Sequence, residues 1–272
     1  MAWAPDEAAV GQVLEMLQAS QTPDTAVQAQ VQAQLAQYQA VPEFNQTLSF
    51  IFVKLRDQPI FTRTAAGLLL KNNILQSLES MPPAVVEALK AEMLEGIADP
   101  ERRVRRTIGT CISTVATKMG DPHDQYGEWL ASWPSLMPTL AGLLDTGELA
   151  AVDGALDVLS KICEDVPDRM VADSQQPLNV ILPKLFAFFS SEEGTFREAA
   201  LHIMNQFILL DPPALQVSGL NCHGLTAAVE TLDMQRAPVG TLAYRLRCEC
   251  AQPPAHWCSR RTSILSCKGS ST

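Results

Sequence analysis

Apolar residues recur at intervals of three and four positions along most of the first 210 residues, and short polar or proline-containing segments separate these runs. That spacing places the apolar side chains on one side of a helix, whereas a half-buried strand alternates every second residue. Proline stands at the start of several runs, which is a common position for it at the first helical turn. The pattern predicts ten helices with short connections and no convincing strand, at about 6–18, 24–39, 42–55, 59–78, 83–99, 102–118, 134–144, 148–164, 177–189 and 195–209.

An internal repeat relates the last four of these helices. A shift of 45 positions aligns "MPTLAGLL" with "LPKLFAFF", and the same shift aligns the helices that follow them. A period of about 40–47 residues with two helices per unit is typical of HEAT and armadillo arrays. We therefore predict an all-α fold in which residues 1–210 form an α-solenoid of about five HEAT repeats. The aligned positions are Pro138 with Pro183, Leu140 with Leu185, Leu143 with Phe188, Leu144 with Phe189, Ala155 with Ala200, Leu156 with Leu201, Val158 with Ile203, Leu159 with Met204 and Ile162 with Phe207.

An arginine stands near the start of three predicted second (B) helices, with a small or aliphatic residue three positions later: Arg63, Arg105 and Arg197. Asp99 lies in the turn before the middle helix, within "DPERRVRR". An aspartate in such a turn accepts backbone N–H bonds at the helix start, and it attracts a basic side chain from the neighbouring repeat. We therefore expect a ladder of arginine–aspartate pairs along the stack.

The segment "TAAGLLLKNNI", residues 64–74, combines a strongly apolar helix with two adjacent asparagines. Its apolar residues fall on several faces of a helical wheel, which is the pattern of a helix buried on several sides. Asn72 falls between Leu68 and Ala65 and is interpreted as an internal hydrogen bonder, because an unpaired buried amide costs about 1–3 kcal/mol. The alternative is that a partner contacts this turn, with Lys71 and Asn73 as its exposed members.

Composition and charge narrow the function classes. The formal net charge of the 272 residues is −10, which argues against a general nucleic-acid binder. The sequence shows no signal peptide and no apolar run long enough to cross a bilayer, so cytosol or nucleus is the expected compartment. Because it contains no P-loop, G-x-S-x-G or G-x-G-x-x-G motif, we predict no enzyme activity and no cofactor. Cys111 and Cys163 lie in helical patterns and are expected to be buried apolar residues.

The pattern changes after Leu209. Residues 211–272 lose helical periodicity and carry a net charge of +2, against −12 for residues 1–210. We expect a disordered tail, and a frameshift, a retained intron or a mispredicted exon is our hypothesis for its origin. Its Cys and His spacings, C-x-C and H-x-C, do not match a zinc site, so no metal is predicted. An array that stopped here would expose the apolar residues Phe188, Phe189, Ile203 and Phe207.

Eight segments of this sequence resemble the amino-terminal part of the importin-β-type nuclear transport receptors, most closely that of the transportin branch. The segments span about residues 8–209 in the family's order and read "SQTPDT", "PEFNQTLSFIFVKL", "GLLLKNNI", "IGTCISTVATK", "WPSLMPTLAGLLD", "GALDVLSKICED", "PLNVILPKLFAFF" and "NQFI". The resemblance implies that residues 31–97 form the family's N-terminal domain. It also implies a concave face lined by the B helices at about 24–39, 59–78, 102–118 and 148–164.

The resemblance further implies a function, namely binding of the GTP form of a Ran-type GTPase during protein import into the nucleus. The protein would shuttle between cytoplasm and nucleus and meet nucleoporins, with no nucleic-acid or membrane partner. Cargo is not expected to bind these residues, because transportins take cargo in their carboxy-terminal arch. A HEAT scaffold that holds a protein complex is the alternative function. The residues expected to contact the GTPase are Lys71, Asn72, Asn73, Arg63, Asp153 and Asp157, the last two within an acidic stripe that continues to Glu164 and Asp165.

Overall fold

The structure is a computed structural model that describes residues 3–38, 41, 43–119, 128–208 and 210. These residues form α-helices and connecting turns, with no strand among them. A π-helical turn (Phe50–Lys54) continues the third helix, and 3-10 turns lie at Leu78–Ser80 and Trp129–Ser132. The predicted tail, residues 211–272, lies outside the described residues. The helices are α1 (Glu7–Ala19), α2 (Thr25–Tyr38), α3 (Phe44–Ser49), α4 (Ile60–Ser77), α5 (Pro83–Gly96), α6 (Arg102–Lys118), α7 (Leu136–Leu144), α8 (Leu149–Asp165), α9 (Pro167–Ala172), α10 (Leu178–Phe188) and α11 (Gly194–Ile208).

Four helices form a continuous row, which we call the B row: α4 packs on α6, α6 on α8, and α8 on α11. Each of them also packs against the helix that precedes it in its hairpin, namely α3, α5, α7 and α10. These first (A) helices lie on the other side, with α3 beside α5 and α7 beside α10. Because each hairpin contacts its sequence neighbours, the fold is an α-solenoid of HEAT type, as predicted.

The first hairpin differs from the prediction. The segment 24–39 is predicted to be the first B helix, but α1 rather than α2 makes the main contacts with α4. The reason lies in composition, because α2 is mostly glutamine and alanine and is largely exposed. α1, in contrast, has a stripe of large apolar side chains to bury, namely Val10, Val13, Met16 and Leu17.

The internal repeat is visible in the packing. The residues that the 45-position shift aligns have closely matching burial: Ala155 and Ala200 are both inaccessible to solvent, as are Leu140 and Leu185. The same holds for the aligned pairs in α8 and α11, which are Val158 with Ile203, Leu159 with Met204, and Ile162 with Phe207. Successive repeats therefore bury the same positions against their neighbours, which is the physical origin of the sequence repeat.

The predicted ladder of arginines and aspartates is present between repeats. The guanidinium of Arg63 reaches the carboxylate of Asp99, with Nη2 2.5 Å from Oδ2, and both side chains are almost fully buried. Asp99 also accepts the backbone N–H of Glu101 at 2.9 Å, as expected of a turn aspartate. One repeat further, Arg105 pairs with Asp153 at 2.5 Å and donates to the Asp99 carbonyl at 2.8 Å. Among the described residues, Arg197 binds the carbonyls of its own turn, those of Ser191 and Glu192, and no aspartate.

Three other predictions change. The short helix α9 and the 3-10 turn at Trp129–Ser132 were not expected, because six or fewer residues give too little periodicity to recognise. The predicted helix at 42–55 is divided, since α3 ends at Ser49 and continues as the π-helical turn. The apolar end expected to be exposed is largely covered, with Phe189, Ile203 and Phe207 buried and Phe188 half-buried.

Candidate functional site on the B row

The helix α4 has one buried and one exposed face. Its neighbours α1, α3, the π-helical turn and α6 cover a face centred on Leu70. The opposite face exposes Phe61, Leu68 and Leu75, which are 48%, 52% and 48% exposed. They are seven positions apart, and Asn72 lies between the last two on the same face, so the spacing is that of a coiled-coil seam. We call Phe61, Leu68, Asn72 and Leu75 the α4 stripe.

The expectation that α4 is apolar all round because it is buried all round is therefore wrong. The neighbours of α4, namely α1, α3, the π-helical turn and α6, cover one side of it and leave its outer face open. The exposed residues were missed, although their seven-residue spacing was a usable signal: a seam at i, i+4, i+7, i+11 and i+14 is the pattern of one interaction face.

The two asparagines have exchanged the roles predicted for them. Asn73 is 4% exposed, and its side-chain Nδ2 donates to Oδ1 of Asn45 on α3 at 2.8 Å. Asn72 is exposed, and Lys71 beside it is half-buried. The helical wheel places Asn72 correctly between Leu68 and Ala65, but that face is open to solvent. Asn73 is therefore the internal hydrogen bonder, and its burial removes it from the predicted partner contacts.

Arg63 is also unavailable to a partner. The residue is 1% exposed, its Nε donates to the Phe52 carbonyl at 3.0 Å, and its remaining nitrogens face Asp99. Its guanidinium thus satisfies one carbonyl of its own repeat and one carboxylate of the next. Arg63 holds two repeats together, and its burial argues against the predicted contact with the GTPase.

The acidic stripe expected on α8 is largely neutralised within the fold. Asp153 pairs with Arg105 of α6, and Asp157 pairs with Lys161 one turn further along α8. Asp165 accepts a hydrogen bond from the Ser113 hydroxyl of α6. Both Asp153 and Asp157 are half-buried. Asp153 and Asp165 therefore join α8 to α6. Glu164, the remaining member of the stripe, is 63% exposed, with the His202 imidazole 3.9 Å away.

Threonines dominate the outer face of α6, next to the α4 stripe. The hydroxyls of Thr107, Thr110 and Thr114 each donate to the carbonyl four residues earlier, at 2.9, 3.0 and 2.7 Å. A threonine bonded to its own helix in this way has its hydroxyl satisfied. The threonine hydroxyls beside the α4 stripe are therefore satisfied within α6, while Arg103 and Arg106 are exposed at the start of the same helix.

The cysteines and one carboxyl group have perturbed pKa values. Burial raises the pKa of the Cys111 thiol to about 12, and the charges of Lys71 and Lys161 oppose this only in part. Burial likewise raises the pKa of Cys163. Both residues are therefore neutral thiols in the core, as predicted. On α5, burial raises the pKa of Glu92, against a hydrogen bond from the Ser49 hydroxyl.

No group of His, Cys, Asp and Glu side chains able to hold a metal ion occurs in the part of the chain that the structure describes. Within that part, every helix is too short or too polar to cross a membrane. The B row, with its open apolar stripe, is the best candidate for a binding surface.

Comparison with known proteins agrees with this arrangement. Residues 31–99 match the family model of the importin-β N-terminal domain. Transportin-1 of Homo sapiens is 38% identical over 216 residues, which is 79% of this chain and 23% of transportin-1. Transportin-1 of Oryza sativa subsp. japonica is 35% identical over 220 residues, which is 79% of this chain and 24% of that protein. The chain thus spans about a quarter of the length of these curated relatives.

Solved structures of Kap121p have the same fold. Kap121p bound to Ste12p superimposes with a TM-score of 0.59 at 16% identity, over 84% of this chain and 23% of that chain. Kap121p bound to Nup53p gives a TM-score of 0.58 at 17% identity, over 84% and 22%. At such low identity the likeness concerns the fold alone. Residues 31–99 therefore form an importin-β N-terminal domain, and the chain is an N-terminal importin-β-type segment similar to the transportins.

Proposed function

We propose that the chain binds the GTP form of a Ran-type small GTPase through the B row, and that it acts in this way in protein import into the nucleus. The α4 stripe is the observation that carries the proposal. It lies within the matched importin-β N-terminal domain, and its three large apolar residues are about half exposed. Aligned apolar side chains of this kind on a folded surface mark a site that a partner covers.

The chemistry of the stripe indicates what part of the GTPase it takes. An apolar strip of the partner would cover Phe61, Leu68 and Leu75, and the threonines of α6, whose hydroxyls are satisfied within the helix, would lie beside it. Asn72 offers both a hydrogen-bond donor and an acceptor at the centre of the contact. Completing the burial of one half-exposed leucine contributes about 1 kcal/mol, so the stripe would supply a moderate share of the affinity.

Of the residues predicted to contact the GTPase, Lys71 and Asn72 remain in the proposal. Lys71 lies at the edge of the stripe, on the side of α4 that faces α6, where its charge is felt at Cys111. An ammonium group at the rim would select a partner with a carboxylate at that position and would contribute more to specificity than to affinity.

The test is nucleotide dependence, measured with the full chain and a Ran-type GTPase loaded with GDP or with a non-hydrolysable GTP analogue. We expect at least tenfold tighter binding of the GTP-analogue form. Leu68→Gln should weaken that binding about five- to tenfold. Val180→Gln is the matched control, because Val180 is 53% exposed on α10, one of the A helices, and its replacement should leave the affinity unchanged.

Equal affinity for both nucleotide states would overturn the proposal and would favour the alternative of a HEAT scaffold, which needs no nucleotide preference. Retention of full affinity in Leu68→Gln would place the contact elsewhere. The proposal also implies movement between cytoplasm and nucleus and contacts with nucleoporins. Binding of a nucleoporin by Kap121p, which shares the fold, is compatible with the second of these.

A further inference from the structure

Four arginines occupy the first five positions of α6, in the sequence RRVRR at 102–106. Arg105 is buried and has a full set of partners, namely Asp153 and the carbonyls of Asp99 and Pro100. Arg102, Arg103 and Arg106 are exposed, and their side chains form no hydrogen bond or ion pair with any described residue. We call these three residues the α6 arginine patch.

The fold gives no reason for placing arginines at these positions. The start of a helix carries a partial positive charge, so cations there are unfavourable. Arg102 and Arg106 are four residues apart and Arg103 and Arg106 three, so they also repel one another on the same side of the helix. The first turn of α6 contains no acidic residue, and the nearby carboxylate of Asp99 is already bound to Arg63. Glu101, directly before the helix, offsets one of the three exposed charges at most, so the patch keeps an excess of positive charge.

The surroundings add a cation and an apolar side chain. Lys161 of α8 donates to the Arg106 carbonyl at 3.3 Å, although Asp157 offsets its charge. The Arg63–Asp99 pair brings the first turn of α4 next to the start of α6. Ile60, the first residue of α4, is 37% exposed. The patch is thus cationic with an apolar margin.

We propose that the α6 arginine patch binds an acidic segment of a partner protein, one that places two or more carboxylates beside an apolar side chain. A carboxylate accepts two parallel N–H bonds from one guanidinium, which lysines cannot offer. Carboxylates near the start of α6 would also interact favourably with the helix dipole. Binding would thereby remove both sources of repulsion in the patch.

The charge of the whole chain favours a short acidic segment over a nucleic acid. With a net charge of −10, the rest of the surface repels a long polyanion. A segment of a few residues stays within the patch, and at physiological salt the Debye length of about 8 Å screens it from more distant carboxylates. The patch lies at the start of α6, which is also part of the B row, but it shares no residue with the α4 stripe, so binding of an acidic segment can be tested without the GTPase.

The experiment measures fluorescence anisotropy of a labelled twelve-residue peptide with six Asp or Glu and two Leu residues, titrated with the full chain. The triple variant R102Q/R103Q/R106Q should weaken binding at least tenfold and abolish most of its salt dependence between 50 and 300 mM NaCl. Lys118→Gln is the matched control, because it removes one exposed cation from the other end of α6. At 1.5 Å per residue, Lys118 lies about 24 Å from Arg102 along the helix. It should change the affinity less than twofold. Leu68→Gln should bind the peptide as tightly as the unchanged chain does.

A folding defect is excluded by the melting temperature, which should be equal or higher in the triple variant because like-charge repulsion is removed. Wild-type affinity in the triple variant would overturn the proposal, and so would the absence of saturable peptide binding to the wild-type chain. Equal binding of an analogue with Gln in place of every Asp and Glu would do the same. Tighter binding of a twenty-residue oligothymidylate than of the peptide would show that the patch serves a nucleic acid instead.

Discussion

The buried pair of Arg63 and Asp99 offers a sharp test of how the repeats are held together. We expect Arg63→Met to destabilise the protein strongly, although methionine fills much of the same volume. The variant leaves the carboxylate of Asp99 buried with only the Glu101 backbone N–H as a partner, and it leaves the Phe52 carbonyl without its donor.

The size of the effect follows from the geometry. With charge centres about 4 Å apart and an effective dielectric constant of about 20, the two groups attract each other by about 4 kcal/mol. Removing one partner of a buried pair costs about 3–5 kcal/mol in practice, because the remaining charge stays desolvated. That is a large fraction of the 5–15 kcal/mol by which a domain is typically stable. Adding Asp99→Asn to Arg63→Met should recover part of the loss, since the amide oxygen still accepts the Glu101 N–H while the unpaired charge is gone.

The assay is urea unfolding followed by circular dichroism, with Lys184→Met as the matched control. Lys184 pairs with Asp145 at 2.5 Å, but both side chains are partly exposed. An exposed pair of this kind contributes about 0–1 kcal/mol. Should Arg63→Met cost no more than Lys184→Met, the ladder would be a geometric coincidence rather than a clamp. A double variant less stable than Arg63→Met alone would refute the argument from an unpaired charge.

Two further pairs of substitutions separate structural from exposed positions in thermal melts. Gly154→Ala should cost about 1–3 kcal/mol of unfolding free energy, because the added methyl group overlaps the Ile97 carbonyl oxygen. Gly142→Ala, in open space on α7, should be neutral or stabilise the protein by about 0.4–1 kcal/mol. Similar effects of the two substitutions would contradict the close approach of α8 to Ile97. Asn73→Ala should cost about 1–3 kcal/mol of unfolding free energy, because it leaves the side chain of Asn45 on α3 without this hydrogen bond. Asn72→Ala should stay within about 0.5 kcal/mol of wild type in stability but should weaken GTPase binding. If Asn72→Ala were the more destabilising of the two, Asn72 would be the buried residue after all.

The repeat architecture was accessible from the sequence because burial itself repeats. Positions such as Ala155 and Ala200 face the same environment in successive hairpins, so the same residue types recur at the same interval. Long helices with strong periodicity were placed well, and α6 begins and ends where it was predicted, at Arg102 and Lys118. α1 and α2 were assigned to the wrong rows, because periodicity predicts that a helix forms but not which neighbour it packs against.

The candidate site was harder to predict for a related reason. Apolar residues cover α4 all round, so its sequence does not distinguish a face buried by neighbours from one awaiting a partner. The sequence also does not show whether a charged side chain is paired within the fold. Asp153 and Asp157 are predicted to form an acidic surface stripe, but in the structure they pair with Arg105 and Lys161. Only the three-dimensional contacts show which charges and apolar groups are left without a partner inside the chain.

On the proposed function, α4 separates stability from recognition by placing the residues for each on opposite faces. Arg63, Leu70 and Asn73 point toward the neighbouring helices, whereas Leu68 and Asn72 point outward. Residues on the two faces have no shared partner, so their substitutions should contribute independently to unfolding and to binding. A solenoid that carried its partner contacts on the faces joining its repeats would lose binding whenever those faces loosened. With the faces separated, the outer residues can change to suit a partner without altering the interfaces on which the stability of the stack depends.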